Sequence, residues 1–131
     1  MDFNLSEDLK ILQKSVRDFV KKEVLPIVAE DERNHRFQIE IIKKIGELGF
    51  LGCPIPQEYG GGNMGYLAHV ICTEETARVS GSLRAAFNMQ TMGTALEICN
   101  FGNEGQKKEY VKKLPRDGAH WHRPRLNGLE Q

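Results

Sequence analysis

The residues best suited to chemistry lie past the middle of the chain, where Arg84, Asn88 and Thr91 form a strongly polar line in an otherwise apolar stretch from Leu83 to Phe101. Spacings of four and three residues place all three on a single stripe of a helix. A guanidinium offers a planar fork of donors that matches a carboxylate, and an asparagine one turn later adds an amide donor to the same acceptor. Such a stripe binds an anion and selects for it, but makes and breaks no bonds. A desolvated charge needs a partner, so Arg84 is expected to meet something anionic. From spacing alone that partner is equally a ligand carboxylate or an acidic side chain of a neighbouring helix, and the guanidinium can also keep its head in water.

Other candidates carry less. Gly60, Gly61 and Gly62 follow Tyr59 without the spacing of a phosphate-binding loop and without a preceding strand, so the run reads as a turn. His120 and His122 flank Trp121 in a His-x-His arrangement that lacks further ligands at metal-binding spacing. His35 and His69 are single histidines on or near helices and read as surface or satisfied polar residues. Glu58 and Tyr59, beside the glycines, suit a ligand contact or simple packing. No metal site is assigned, and no catalytic residue.

The elements that must position these residues are helices. Ser6 suits the cap of the first, with Glu7 and Asp8 in its opening turn and Leu9, Leu12, Val16, Phe19 and Val20 at helical spacing; Pro26 ends or kinks it. A second helix covers about 38–48, with Ile39, Ile42, Ile45 and Leu48 on one face and Gly49 as its left-handed terminal residue. Pro54 and Pro56 then favour extended backbone, and the three glycines mark a tight or exposed turn. A third helix covers about 65–79, with Leu67, Val70 and Ile71 inward and Glu74, Glu75 and Arg78 outward. Ser82 is expected to cap a fourth, whose apolar residues surround nearly its whole circumference, the pattern of a buried helix. Asn103 and Gln106 have capping-box spacing for a fifth helix carrying Tyr110, Val111 and Leu114, which Pro115 stops.

Composition narrows the class. With 131 residues the chain can form one modest domain. Its 18 basic and 18 acidic residues cancel, which leaves no electrostatic footprint for nucleic acid or an anionic membrane. No apolar run approaches the roughly 20 residues that span a bilayer, and the start MDFNLSEDL has neither the basic nor the apolar region of a secretory signal, so a cytoplasmic location is expected. Cys53, Cys72 and Cys99 are odd in number and far apart, which supports reduced core residues over disulfides or zinc ligands.

Five segments in order, LSED, VRDFVKKEVLP, IIKKIGELGFLGCPIPQEYGGG, EETARVSGSLRAAFNMQ and FGNEGQKKEYVKKL, resemble the N-terminal helical domain of the acyl-CoA dehydrogenases. The resemblance covers about residues 5–114. It implies an all-α fold of about five helices, a domain over 1–114 and a divergent tail over 115–131. SLRAAFNMQ is similar to the segment of the glutaryl-CoA dehydrogenase subgroup, in which an arginine at the position of Arg84 pairs with the distal carboxylate of the acyl chain. Asn88 falls where that subgroup carries a serine that assists the same carboxylate. The resemblance thus implies substrate-binding roles for Arg84 and Asn88, with Thr91 on the same stripe.

It further implies a glutaryl-CoA-like acyl-CoA substrate, FAD as cofactor of the complete enzyme and electron-transfer flavoprotein as its partner. In complete members a carboxylate of the C-terminal helical domain removes the proton alpha to the thioester as the beta carbon gives a hydride to the flavin, and most flavin contacts come from a middle β domain and that C-terminal part. Neither part resembles anything in these residues. The tail PRDGAHWHRPRLNGLEQ has no strand alternation, so a truncated or frame-shifted chain is expected, inactive alone and prone to self-association through an uncovered apolar face. Two other readings are a stand-alone helical interaction module and one subunit of a split enzyme.

Overall fold

The computed structural model describes residues 4–113. Among them the chain forms five helical rods, over 7–33, 39–47, 65–77, 81–101 and 104–111, and no strand. Leu114, Pro115, the tail, and with it His120 and His122, lie outside the described residues.

The first rod joins α1 (Glu7–Phe19) to α2 (Leu25–Arg33) through one widened, π-type turn at Val20–Val24. Ser6 accepts a hydrogen bond from the Leu9 amide at 3.4 Å, and Glu7 and Asp8 sit where the helix dipole favours negative charge. Pro26 does not end the helix. It occupies the first turn of α2, where its missing N–H costs least, and the Leu25 amide reaches back five residues to Val20. The widened turn keeps Leu12, Val16, Val20 and Val24 on one buried line.

That line packs with Ile41, Ile42 and Ile45 of α3 (Ile39–Glu47), with Ala68 and Cys72 of α4 (Gly65–Ala77), and with Leu83 and Phe87 of α5 (Gly81–Gln90). Burying side chains as large as Val16 or Phe87 contributes roughly 1.5–3 kcal/mol each. A smaller cluster, around Ile55, Ala95, Leu96 and Val111, lies under the far end of the fourth rod.

Two expected faces are adjusted. On α3, Ile42 and Ile45 are buried as expected and Ile41 joins them, while Ile39 and Leu48 at the helix ends are exposed. On α4, Leu67 and Val70 point outward, because the face against α1 and α5 is built from small residues, Ala68 and Cys72, that allow close approach of the helix axes. Glu75, expected outside, is 1 % exposed. Arg17 of α1 grips it with a bidentate fork, Nε to Oε2 at 2.9 Å and Nη2 to Oε1 at 2.6 Å, so a carboxylate that would be costly to bury is fully paired.

The segment between α3 and α4 is a loop packed over residues 51–55, and its glycine run is a turn at the surface, with Gly60 and Gly62 exposed. Gly49 closes α3 with φ +79°, and two short 3-10 turns follow, Phe50–Gly52 and Gln57–Tyr59. The loop then doubles back: the amides of Gly62, Asn63 and Met64 donate to the carbonyls of Gly52, Ile55 and Cys53 at 2.9, 2.9 and 2.8 Å. This return brings the Cys53 and Cys72 thiols to 3.9 Å, a contact that their 19-residue separation conceals. Both are free and buried, and the bond to Cys53, followed by burial, pushes the Cys72 thiol well up.

A Cβ on Gly61 would lie 2.1 Å from the Ile55 carbonyl oxygen, whereas one on Gly49 would meet nothing within 4 Å. Gly61→Ala is therefore expected to cost on the order of 2 kcal/mol or more, and Gly49→Ala only the roughly 1–2 kcal/mol of a left-handed alanine. Urea midpoints of the two variants check this, and equal losses would mean that the loop relaxes around the added methyl.

Candidate substrate-facing site

The polar stripe lies on the fourth rod, which runs from α5 through a widened turn at Thr91–Leu96 into α6 (Glu97–Phe101). Its cap is Ser80, not Ser82: the Leu83 amide donates to Ser80 Oγ at 3.1 Å, and the Ser82 hydroxyl turns instead to Glu32 at 3.3 Å. The rod is not buried all round. Leu83 and Phe87 go into the core, but Met89 is exposed and Phe101 is 88 % exposed, because nothing among the described residues covers that flank.

Along the stripe the surroundings change from open to closed. Arg84 is exposed. Of the five arginines among the described residues, Arg17, Arg36 and Arg78 pair with carboxylates and Arg33 donates to a carbonyl, while the Arg84 guanidinium has no such bond. Asn88 is half-buried, and its Oδ1 lies 3.0 Å from Nε2 of His69 on α4. Thr91 is 1 % exposed, and its hydroxyl donates to the Leu51 carbonyl at 2.9 Å, which fastens the rod to the packed loop. Arg84 and Asn88 thus remain near the open side, whereas the Thr91 hydroxyl is already engaged where the loop crosses the helix.

His69 was the least expected member. It is 4 % exposed and tilts against the Phe87 ring at 5.6 Å, and its Nδ1 is buried without a partner. Burial holds its pKa below the ordinary value near 6.5, partly opposed by the bond to Asn88. A signal was present: Ala68, Cys72, Glu75 and Thr76 share a face at helical spacing, and His69 borders it. Tyr59 is a packing residue whose hydroxyl donates to Glu104 at 3.5 Å and ties the loop to α7 (Glu104–Gln106). Glu58 and His35 are exposed.

The family model for the acyl-CoA dehydrogenase N-terminal domain matches residues 6–117. The chain belongs to the acyl-CoA dehydrogenase family. It is 50 % identical over 117 residues to a glutaryl-CoA dehydrogenase of Desulfococcus multivorans, an alignment covering 87 % of this chain and 30 % of that protein. It superposes with a TM-score of 0.85 and 47 % identity on the solved glutaryl-coenzyme A dehydrogenase glutaryl-CoA complex, covering 88 % of this chain and 30 % of that one. An acyl-CoA dehydrogenase of Bacillus anthracis complexed with FAD is similar at a TM-score of 0.79 and 33 % identity, over 87 % of this chain and 20 % of that one. The chain spans less than a third of the length of these relatives.

The residues described do not by themselves fit the flavin of this family. The cleft of about 480 Å³ beside Phe101 has Glu97 as its charged group, the wrong sign for a dinucleotide's phosphates. At the cleft of about 280 Å³ beside Lys21, the guanidinium groups of Arg17 and Arg78 are engaged by Glu75. Among the described residues, no group of three acidic, His or Cys side chains is placed to hold a metal, and no helix is long and apolar enough to cross a membrane.

Two outcomes are expected. Because His69 is neutral in the fold and titrates below its unfolded value, the unfolded chain binds the extra proton, so stability falls as pH drops below about 6.5. Urea midpoints at pH 7.5 and 5 should show this decline, and His69→Gln should reduce it. Thr91→Val keeps the shape but leaves the Leu51 carbonyl without its donor, at a cost of about 1–3 kcal/mol measured by the same midpoints.

Proposed function

We propose that this chain forms one wall of the acyl pocket of a flavin-dependent acyl-CoA dehydrogenase that introduces an alpha,beta double bond into a glutaryl-CoA-like thioester. Arg84 and Asn88 read the distal carboxylate of the acyl chain. One observation carries the reading: the Arg84 fork is exposed and without a salt bridge among the described residues, with Asn88 one turn away. The likeness of the chain as a whole to glutaryl-CoA dehydrogenases supports it. Thr91 contributes by fixing the rod against the loop, which holds the two donors at a constant depth.

In this reading the chain orients the substrate and leaves the bond-making to other parts of the enzyme. A charge-assisted bond to the carboxylate contributes about 1.5–3 kcal/mol, enough for roughly a tenfold to hundredfold preference over a neutral acyl group. FAD, the general base and the docking of electron-transfer flavoprotein are assigned to the part of the relatives' length that this chain does not span, and the chain alone is read as inactive. The enzyme is placed in the cytoplasm. The exposed apolar side chains of Met89, Phe101 and Tyr110 are assigned to the contact with those other parts. The same side chains also suit a second reading, a helical module that docks on a separate polypeptide or on its own copy.

Residues 6–117 can be exchanged for the corresponding segment of the Desulfococcus multivorans enzyme. The hybrid is expected to be yellow and to oxidise glutaryl-CoA in preference to butyryl-CoA. Arg84→Gln should then lower kcat/KM for glutaryl-CoA by roughly tenfold to a hundredfold and leave butyryl-CoA unchanged. Equal effects on both substrates would remove the carboxylate-reading role.

A further inference from the structure

We propose that His69 is a positioning residue that fixes which way the Asn88 amide faces, so that the site shows a carboxylate donors only. The inference rests on the carboxylate-reading role of Arg84 and Asn88, and adds a residue from a different helix to it.

The geometry allows two neutral arrangements of the 3.0 Å contact between His69 Nε2 and Asn88. In one, Nε2–H donates to the Asn88 carbonyl oxygen and Nδ1 keeps a bare lone pair. In the other, the amide is reversed and its Nδ2–H donates to an unprotonated Nε2, which puts the ring proton on Nδ1. Nδ1 is buried and has no partner. The second arrangement therefore strands an N–H donor in the core, and orphaned buried N–H groups are the rarer and costlier defect. A doubly protonated ring would place an unpaired charge beside Phe87, where the surroundings are apolar. The ring proton is assigned to Nε2 and the Asn88 oxygen to the inner side.

An asparagine is ambidextrous, with an acceptor on one arm and two donors on the other. A freely turning amide at this position would present its oxygen to a carboxylate about as readily as its nitrogen, and the oxygen repels it. Engaging Oδ1 with His69 removes that choice. Both Nδ2 hydrogens are left for the side of the helix on which Arg84 stands one turn earlier, and a donor-only pair results. An acyl group ending in a carboxamide, which brings its own donors, would find no acceptor there.

The test uses the chain itself, labelled with 15N, at pH 7.5. Long-range proton–nitrogen correlation of the His69 ring, assigned by its disappearance in His69→Gln, is expected to show a single tautomer protonated at Nε2. The Asn88 side-chain amide should give one sharp pair of signals. His69→Leu should shift and broaden that pair, and His69→Gln, whose amide can donate from the same place, should restore it. A ring protonated at Nδ1, a ring averaging between tautomers, or an Asn88 pair untouched by His69→Leu in a folded variant would overturn the proposal. Circular dichroism of both variants separates loss of folding from loss of orientation, and if His69→Leu does not fold, the tautomer of the unmodified chain decides. The substrate-selectivity comparison at Arg84 is read independently, so a wrong tautomer with intact selectivity sinks this inference alone.

Discussion

The buried carboxylate of Glu75 is the constraint on which the rest of the arrangement depends. A charge at that depth is tolerable only against a partner of fixed geometry, and the Arg17 fork supplies it from α1. That bond holds the Glu75 carboxyl below the usual carboxylate range, so the clamp is complete at neutral pH and is lost only as acid takes the pH through the lowered value. The pair sets the rotation of α4 about its own axis. With Glu75 turned to α1, Ala68 and Cys72 take the tight helix contact and His69 faces α5, where it meets Asn88. The ion pair and the contact between His69 and Asn88 thus lie on different sides of the same helix.

Much of this was legible in the sequence where the signal was local. Ser6, Gly49 and the Asn103–Gln106 box are caps whose partners lie within a turn, and each behaves as its residue type dictates. The all-helical class and the five rods also followed from spacing. On α3 the expected Ile42 and Ile45 are buried and only the end residues Ile39 and Leu48 are not; what failed was half of the α4 face, where Ile71 goes inward as expected but Leu67, Val70 and Glu75 do not follow expectation. Hydrophobicity favoured Leu67 and Val70 as inward residues and Glu75 as outward, but close helix packing rewards small side chains, and a carboxylate can be buried when an arginine 58 positions earlier is aimed at it. Neither fact is visible within one helical window.

The same limit applied to the site. The stripe of Arg84, Asn88 and Thr91 was found from spacing, but spacing gives angle about the axis and not depth along it. Depth is set by what crosses the helix: the loop at Leu51 covers Thr91 and stops short of Arg84. His69 is 19 residues from Asn88 and belongs to the preceding helix, so only the fold could join them. The family likeness singled out the segment, and the fold gives its three polar members different surroundings: Arg84 exposed, Asn88 bonded to His69 and Thr91 buried under the loop.

The widened turn at Thr91–Leu96 has a consequence for how the two halves of the fourth rod evolve. Each residue added to a regular α-helix swings everything downstream by about 100°, so a continuous helix would lock the outward flank at Phe101 to the angle of Arg84. A π-type turn absorbs the equivalent of one inserted residue. It acts as a phase joint: the ligand-reading end and the apolar end can each keep the azimuth their own neighbours demand, and an alteration that resets one need not disturb the other.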